Sequence, residues 1–252
     1  MKLAIQEAAL PGETILQKLQ HAQSLGLAGV EFTAEDLQNR IPEILGAMET
    51  TGVQASGVYA GITRILHPTF KERDSAIAAL RTAMTGALDI GAAGVVFIPH
   101  YSTSPVMPDL RPYKSAEQLE GEMLIAQLRS TLVDLAYALG AQLYMLAVSQ
   151  QRAYLINTLE QAHIVLDKID SPPQLKIAVD TSDMHQTEKA MVTALGDYIG
   201  DIGYVHLADT AHRLPGHGEL DLNATTYDEL ERFAHALEQA AGAHEVRMEI
   251  KE

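Results

Sequence analysis

Short apolar runs alternate with longer amphipathic stretches along this chain, and glycine or proline separates most of them. The runs Leu3–Gln6, Gly29–Phe32, Val53–Tyr59, Gly94–Ile98, Gln142–Val148 and Leu175–Val179 are predicted strands. A seventh runs from Ile202 to His206 and an eighth is Val246–Ile250. Gly94-Val-Val-Phe-Ile98 is continuously apolar, as expected of a strand covered on both faces. Between the strands the period lengthens. Ile15, Leu16, Leu19, Ala22 and Leu25 lie close to helical spacing within Thr14–Leu25. Thr33 and Asp36 predict a capping box for a second helix that Pro42 divides or restarts and Gly52 stops. Further helices are predicted over Lys71–Gly91, Ser115–Gly140, Ala153–Ile169 and Thr187–Leu195. A last one starts at the Thr226/Glu229 box and ends at Gly242.

Eight strands with intervening helices, repeated roughly every 30 residues, argue for parallel strands with crossover helices. In 252 residues this pattern matches a single (β/α)8 TIM barrel over residues 1–252. A doubly wound open sheet is the structural rival. No Gly-rich phosphate fingerprint follows strand 1, which weakens its dinucleotide-binding version. The sequence stops just after strand 8, so the closing eighth helix is expected to be absent or truncated. Apolar surface left there would need another cover, such as a partner subunit in a homo-oligomer or the N-terminal arm.

Composition narrows the chemistry. With 18 basic against 33 acidic residues the net charge is −15, and no basic stripe suited to phosphates is visible, so a nucleic-acid partner is not expected. The absence of cysteine excludes disulfides, thiolate zinc sites and a cysteine nucleophile. No run approaches membrane-spanning length and the N-terminus carries no signal-peptide pattern, so a cytoplasmic protein without a membrane partner is expected.

In a barrel the active site lies at the C-terminal strand ends. Those ends offer Gln6 and Glu7, Glu31, Tyr59, His100, Leu146, Asp180 with Asp183, His206 with Asp209, and Glu249. Asp180, His206 and Glu249 each close an apolar run and form a candidate site for a divalent ion such as Mn2+, Mg2+, Co2+ or Zn2+. Such an ion could polarise a carbonyl, while a carboxylate beside it moves a proton on the neighbouring carbon. Each residue also has a plainer reading. Asp180 could cap a turn, His206 could be a satisfied core histidine, and Glu249 could face solvent. His100 either lines the pocket or caps strand 4. Arg213 and His217, in the loop after strand 7, are candidate contacts to a substrate oxygen or phosphate, and Asp183 is a further candidate substrate contact. Arg213 could instead pair with a surface carboxylate. Asp36, Glu72 and Glu117 read as helix-start carboxylates without a functional role.

Tyr204-Val-His-Leu-Ala-Asp209 followed by Arg213-Leu-Pro-Gly-His-Gly-Glu-Leu-Asp221 resembles the sugar phosphate isomerase/epimerase family with a xylose-isomerase-like barrel, near its tagatose and ribulose 3-epimerase branch. Ala178-Val-Asp-Thr181, Leu110–Leu119, Tyr154–Thr158 and Met248-Glu-Ile250 are also similar and come in the same order. The resemblance implies one divalent metal held by Asp180, His206 and Glu249 together with a strand-5 glutamate, and an acid/base role for Glu249. It also implies a substrate contact from Arg213. Leu146 stands where that strand-5 glutamate is expected, and Asp183 stands where a histidine is usual. One ligand and one half of the acid/base pair are therefore missing from the pattern. Three expectations follow: a metal-assisted isomerase or epimerase acting on a keto sugar or its phosphate; a barrel that binds carbohydrate, or regulates, without turnover; and, more remotely, a phosphodiesterase like endonuclease IV, which the acidic charge opposes.

Overall fold

The computed structural model describes residues 2–213, 218–220 and 247–250. Eight parallel strands close into a barrel in chain order, with β1 paired to both β2 and β8. They are β1 Lys2–Gln6, β2 Gly29–Thr33, β3 Gln54–Ile62, β4 Val95–Ile98, β5 Leu143–Leu146, β6 Leu175–Asp180, β7 Ile202–Leu207 and β8 Arg247–Ile250. The helices are α1 Ile15–Ser24, α2 Leu37–Thr51, α3 Phe70–Asp89, α4 Ala116–Gln127, α5 Val133–Leu139, α6 Leu159–Lys168, α7 Thr181–Thr187 and α8 Met191–Asp197. The predicted helix from Thr226 to Gly242, and the chain after Ile250, lie outside the described residues.

Side-chain alternation sorts each strand between two cores. Val95, Phe97, Leu143, Met145, Ile177, Val179, Val205 and Leu207 pack outward against the helices. Val96, Ile98, Tyr144, Leu146, Ala178 and Tyr204 form a second cluster, with Tyr59 packed against it. This inner cluster fills the barrel as a packed core rather than a pore. Full burial of side chains such as Leu19, Ile44 and Leu80 stabilises the shell by about 1.5–3 kcal/mol each. The same alternation turns Asp180, two residues after Ala178, and His206, two after Tyr204, toward the inner side.

Helix ends differ from expectation where a side chain found another partner. Thr14, Ser115 and Thr158 each form a complete capping box. The expected Thr33/Asp36 box does not form. Thr33 Oγ1 accepts from Glu35 N at 3.3 Å, and Asp36 adopts a left-handed conformation (φ 52°) as the residue before α2. Pro42 does not divide α2, because only one ladder bond is lost and buried Leu37, Ile44 and Ala47 hold both sides of the proline to the core. The stretch Ser115–Gly140 is helical throughout but contains a π-turn at Leu128–Leu132 between α4 and α5. The helix predicted from Ala153 starts only at Leu159. Asn157 Nδ2 donates to Val148 O (2.7 Å) and Ala153 O (2.6 Å), which ties residues 148–157 into a compact loop. The predicted Thr187–Leu195 helix is replaced by α7 and α8, because Asp180 caps a helix that begins directly after β6.

Candidate active site at the barrel mouth

Backbone register aligns Asp180 with His206 and His206 with Glu249, on three adjacent strands. Of Glu249 the structure describes the backbone position only. Asp180 ends β6 and is also the N-cap of α7. Its Oδ1 accepts from Ser182 N at 2.9 Å and Asp183 N at 3.3 Å, so the turn-capping reading is realised. Capping does not remove it from the mouth. Its Oδ2 lies 3.5 Å from His212 Nδ1.

Because the helix begins without an intervening loop, Asp183 falls one turn after Asp180 and beside it. Asp183 is fully buried; its Oδ1 accepts from Ser149 N at 2.9 Å and lies 3.9 Å from His212 Nε2. One ligand-type atom each from Asp180, Asp183 and His212 lies within 4.8 Å of the others. Two carboxylates and an imidazole are a donor set suited to a divalent ion.

His212 reaches this position through an unusual backbone. Ala211 (φ 58°) and His212 (φ 55°) are consecutive left-handed non-glycine residues, and His212 N donates to Ser182 Oγ at 3.2 Å. Asp209 braces the loop. Its amide donates to Arg213 O at 2.8 Å, and its Oδ1 accepts from Thr210 N (2.7 Å) and Leu220 N (2.9 Å). A Cβ on Gly218 would overlap that same Oδ1, so the close approach admits only glycine there.

On the other side of the mouth, Arg152 Nη1 donates to Asp183 Oδ2 at 2.5 Å and Nη2 donates to Tyr59 OH at 2.9 Å. Burial works against the charged guanidinium, but Tyr59, Asp183 and Asp180 together hold its pKa above the ordinary arginine value. His206 Nε2 lies 3.0 Å from Glu31 Oε1, with both side chains fully buried. Gln6 Nε2 donates to Glu31 Oε2 at 2.6 Å. The rings of Tyr59 and Tyr204 meet His206 edge-on, at 5.9 and 5.3 Å between centroids.

His100 joins a separate buried group. Its Nε2 lies 3.0 Å from Glu120 Oε2 and its Nδ1 meets Ser102. Glu120, from α4, also accepts from Val106 N (2.5 Å), Met107 N (2.7 Å) and the Tyr154 hydroxyl. His100 thereby pins the loop after β4. Arg213 is exposed at the rim, and His217 lies outside the described residues.

Asp180, Asp183 and His206 lie at the end of the barrel where the strand pattern places them. Glu31 and Tyr59 are strand exits to which the sequence assigns no role, His212 is one of several polar residues of the loop after β7, and Arg152 and Glu120 carry no signal in the sequence. Loop polarity was the one signal for His212. Arg152 falls between the predicted strand ending at Val148 and the predicted helix starting at Ala153, where no periodicity marks it, and nothing in the helical pattern of α4 marks Glu120 as buried.

The profile of the xylose isomerase-like TIM barrel family matches residues 19–241. Over 226 residues the chain is 25% identical to the 3-dehydro-D-guloside 4-epimerase of Escherichia coli K12, covering 89% of this chain and 85% of that protein. Among solved structures, the E. coli 3-keto-D-glucoside 4-epimerase superposes with a TM-score of 0.83 at 23% identity, covering 100% of this chain and 92% of the other. The D-psicose 3-epimerase of Clostridium cellulolyticum H10, solved with D-tagatose, gives a TM-score of 0.77 at 18% identity, with 99% and 85% coverage. By the extent of the profile match, this chain belongs to the xylose isomerase-like TIM barrel family.

Proposed function

We propose that this protein is a keto-sugar epimerase that removes and returns a proton on the carbon beside a carbonyl. The observation that carries the reading is the convergence of Asp180, Asp183 and His212 at the mouth, with His206 and Glu249 in register beside Asp180. The relation to a 3-dehydro-D-guloside 4-epimerase supports a 3-keto glycoside as the substrate class.

The donor chemistry fits a divalent ion. Asp180 and His212 would hold it, with His206 and Glu249 completing the set and Asp183 adjacent. When bound, the ion supplies polarisation of the substrate carbonyl. The chain's own residues do the rest. The amides of Ser182 and Asp183 fix Asp180, and Glu31 fixes the ring of His206. Glu249 is the carboxylate proposed to take the proton. Asp183 and Arg213 are proposed to orient sugar hydroxyls. The fully buried walls of Tyr204 and Leu146 keep water from below. Charge and hydropathy support a protein acting on small molecules in the cytoplasm. No helix of the described residues is long and apolar enough to cross a membrane.

One observation favours a second reading, a barrel that binds sugars without turnover. Leu146 lies fully buried in the apolar inner cluster, so β5 brings no carboxylate to this wall.

Proton NMR in deuterated buffer separates the two. With Mn2+ added, methyl 3-keto-glucosides should exchange the hydrogen beside the carbonyl and give the 4-epimer. Binding of the same compounds with no exchange would favour the second reading.

A further inference from the structure

We propose that Arg152 is a catalytic residue whose guanidinium binds the substrate's carbonyl oxygen and holds the negative charge that develops there. This rests on the epimerase reading above.

The guanidinium crosses the mouth. One end is fixed to Asp183 at the start of α7 and the other to Tyr59 on β3, at 2.5 and 2.9 Å. Asp183 is itself held by the Ser149 amide, and Tyr59 packs on the inner core and meets the edge of His206. The planar fork is therefore aimed before substrate arrives, which is the condition for strong electrostatic stabilisation. Those two bonds occupy one donor on each terminal nitrogen. The second hydrogen of each, and the Nε hydrogen, make no bond to another described residue. The side chain keeps 23% of its surface exposed, enough for a ligand to reach.

Leu146, Ala147 and Val148 are buried and apolar, so the loop after β5 contributes its cation through Arg152 alone. A guanidinium that only neutralised Asp183 would need no second anchor on β3. Bridging from Asp183 to Tyr59 places it at the edge of the inner cluster, within electrostatic reach of Asp180.

The step balances without an added reagent. A site carboxylate takes the proton from the carbon beside the carbonyl. The C–H electron pair becomes the C=C bond of an enediolate, and the carbonyl π pair moves to oxygen. Arg152 holds that oxyanion through N–H groups and gives up no proton. A water on the opposite face gives a proton to that carbon, which re-forms the carbonyl with the neighbouring centre inverted, and the hydroxide left behind takes the proton held by the carboxylate.

Solvent-deuterium exchange into a methyl 3-keto-glucoside tests this in the unmodified protein, Arg152→Gln and Arg152→Lys, with thermal melts to verify folding. Arg152→Gln should lower kcat at least about 100-fold with KM changed less than about threefold, the signature of an interaction made in the transition state. Arg152→Lys keeps the charge beside Asp183 but loses the fork, and should fall between the two; it carries the comparison if the glutamine variant unfolds. An unmodified kcat, or a rise in KM alone, would overturn the role of Arg152 and leave the epimerase reading standing. No exchange by the unmodified protein would instead refute that reading, and this inference with it.

Discussion

His206 and Glu31 stand 175 positions apart in sequence and 3.0 Å apart in space, joined across the barrel with both side chains fully buried. The pair fixes the imidazole from Nε2, and Gln6 fixes Glu31 in turn. A carboxylate behind a histidine orients the ring and raises its basicity as a ligand. Glu31→Gln should therefore weaken Mn2+ binding by about 10–100-fold in titration calorimetry while leaving the fold intact. Unchanged affinity would show that His206 serves only the core. Glu31→Ala should also destabilise the protein by about 3–5 kcal/mol, since it leaves a buried polar group without its counterpart.

Leu146 tests the inner wall from the opposite direction. Its surroundings are Ile98, Tyr144, Ala178 and Tyr204, all apolar or aromatic. Leu146→Glu should lower the melting temperature of the metal-free protein, because a carboxylate there is desolvated. Mn2+ should then raise the melting temperature more in this variant than in the unmodified protein. Equal metal responses would place residue 146 out of reach of the ion.

Glu120 is the buried anchor of two loops. It gathers the amides of Val106 and Met107, the ring of His100 and the hydroxyl of Tyr154. Glu120→Ala should cost more than about 3 kcal/mol in denaturant unfolding, since each orphaned buried donor costs about 1–3 kcal/mol. Proteolysis should appear between Tyr101 and Lys114. Burial, then the hydrogen bond to Glu120, pushes the Tyr154 phenol well above its ordinary pKa of 10.0. The folded state thus keeps a proton that the unfolded chain releases. This contribution is complete below about pH 10 and is lost as the pH rises beyond it. Urea midpoints measured at pH 8 and pH 11 should fall less in Tyr154→Phe than in the unmodified protein.

Two glycines should respond oppositely to alanine. A Cβ on Gly57 would meet the Tyr204 hydroxyl at 2.6 Å, on a side chain with no room to move inside the barrel. Gly57→Ala should destabilise by about 1–3 kcal/mol. Gly46 lies on an exposed face of α2 with nothing within 4 Å of its would-be Cβ. Gly46→Ala should stabilise by about 0.5–1 kcal/mol through reduced backbone entropy. Melting temperatures of the two variants decide both.

The order of strands was legible because each buried strand is a short apolar run whose alternation feeds two cores. Val95 and Phe97 serve one core and Val96 and Ile98 the other. Asp180 and His206 were legible for the same reason: each is a polar residue closing such a run, and barrel strands end where the site is. Local rules failed where a distant partner changed the outcome. Asn157 turned a helical pattern into a loop, and buried contacts carried α2 through Pro42.

The remaining site was decided in three dimensions. Arg152 lies 93 residues from Tyr59 and 31 from Asp183, and His212 enters by two left-handed residues that no sequence period encodes. Side-chain type and strand position are local properties, so the sequence by itself determined the barrel and set carboxylates and an imidazole at the strand ends of its mouth. Which of those groups touch depends on barrel closure and loop geometry. Only the tertiary structure could bring Glu31 to His206 and set Arg152 between β3 and α7.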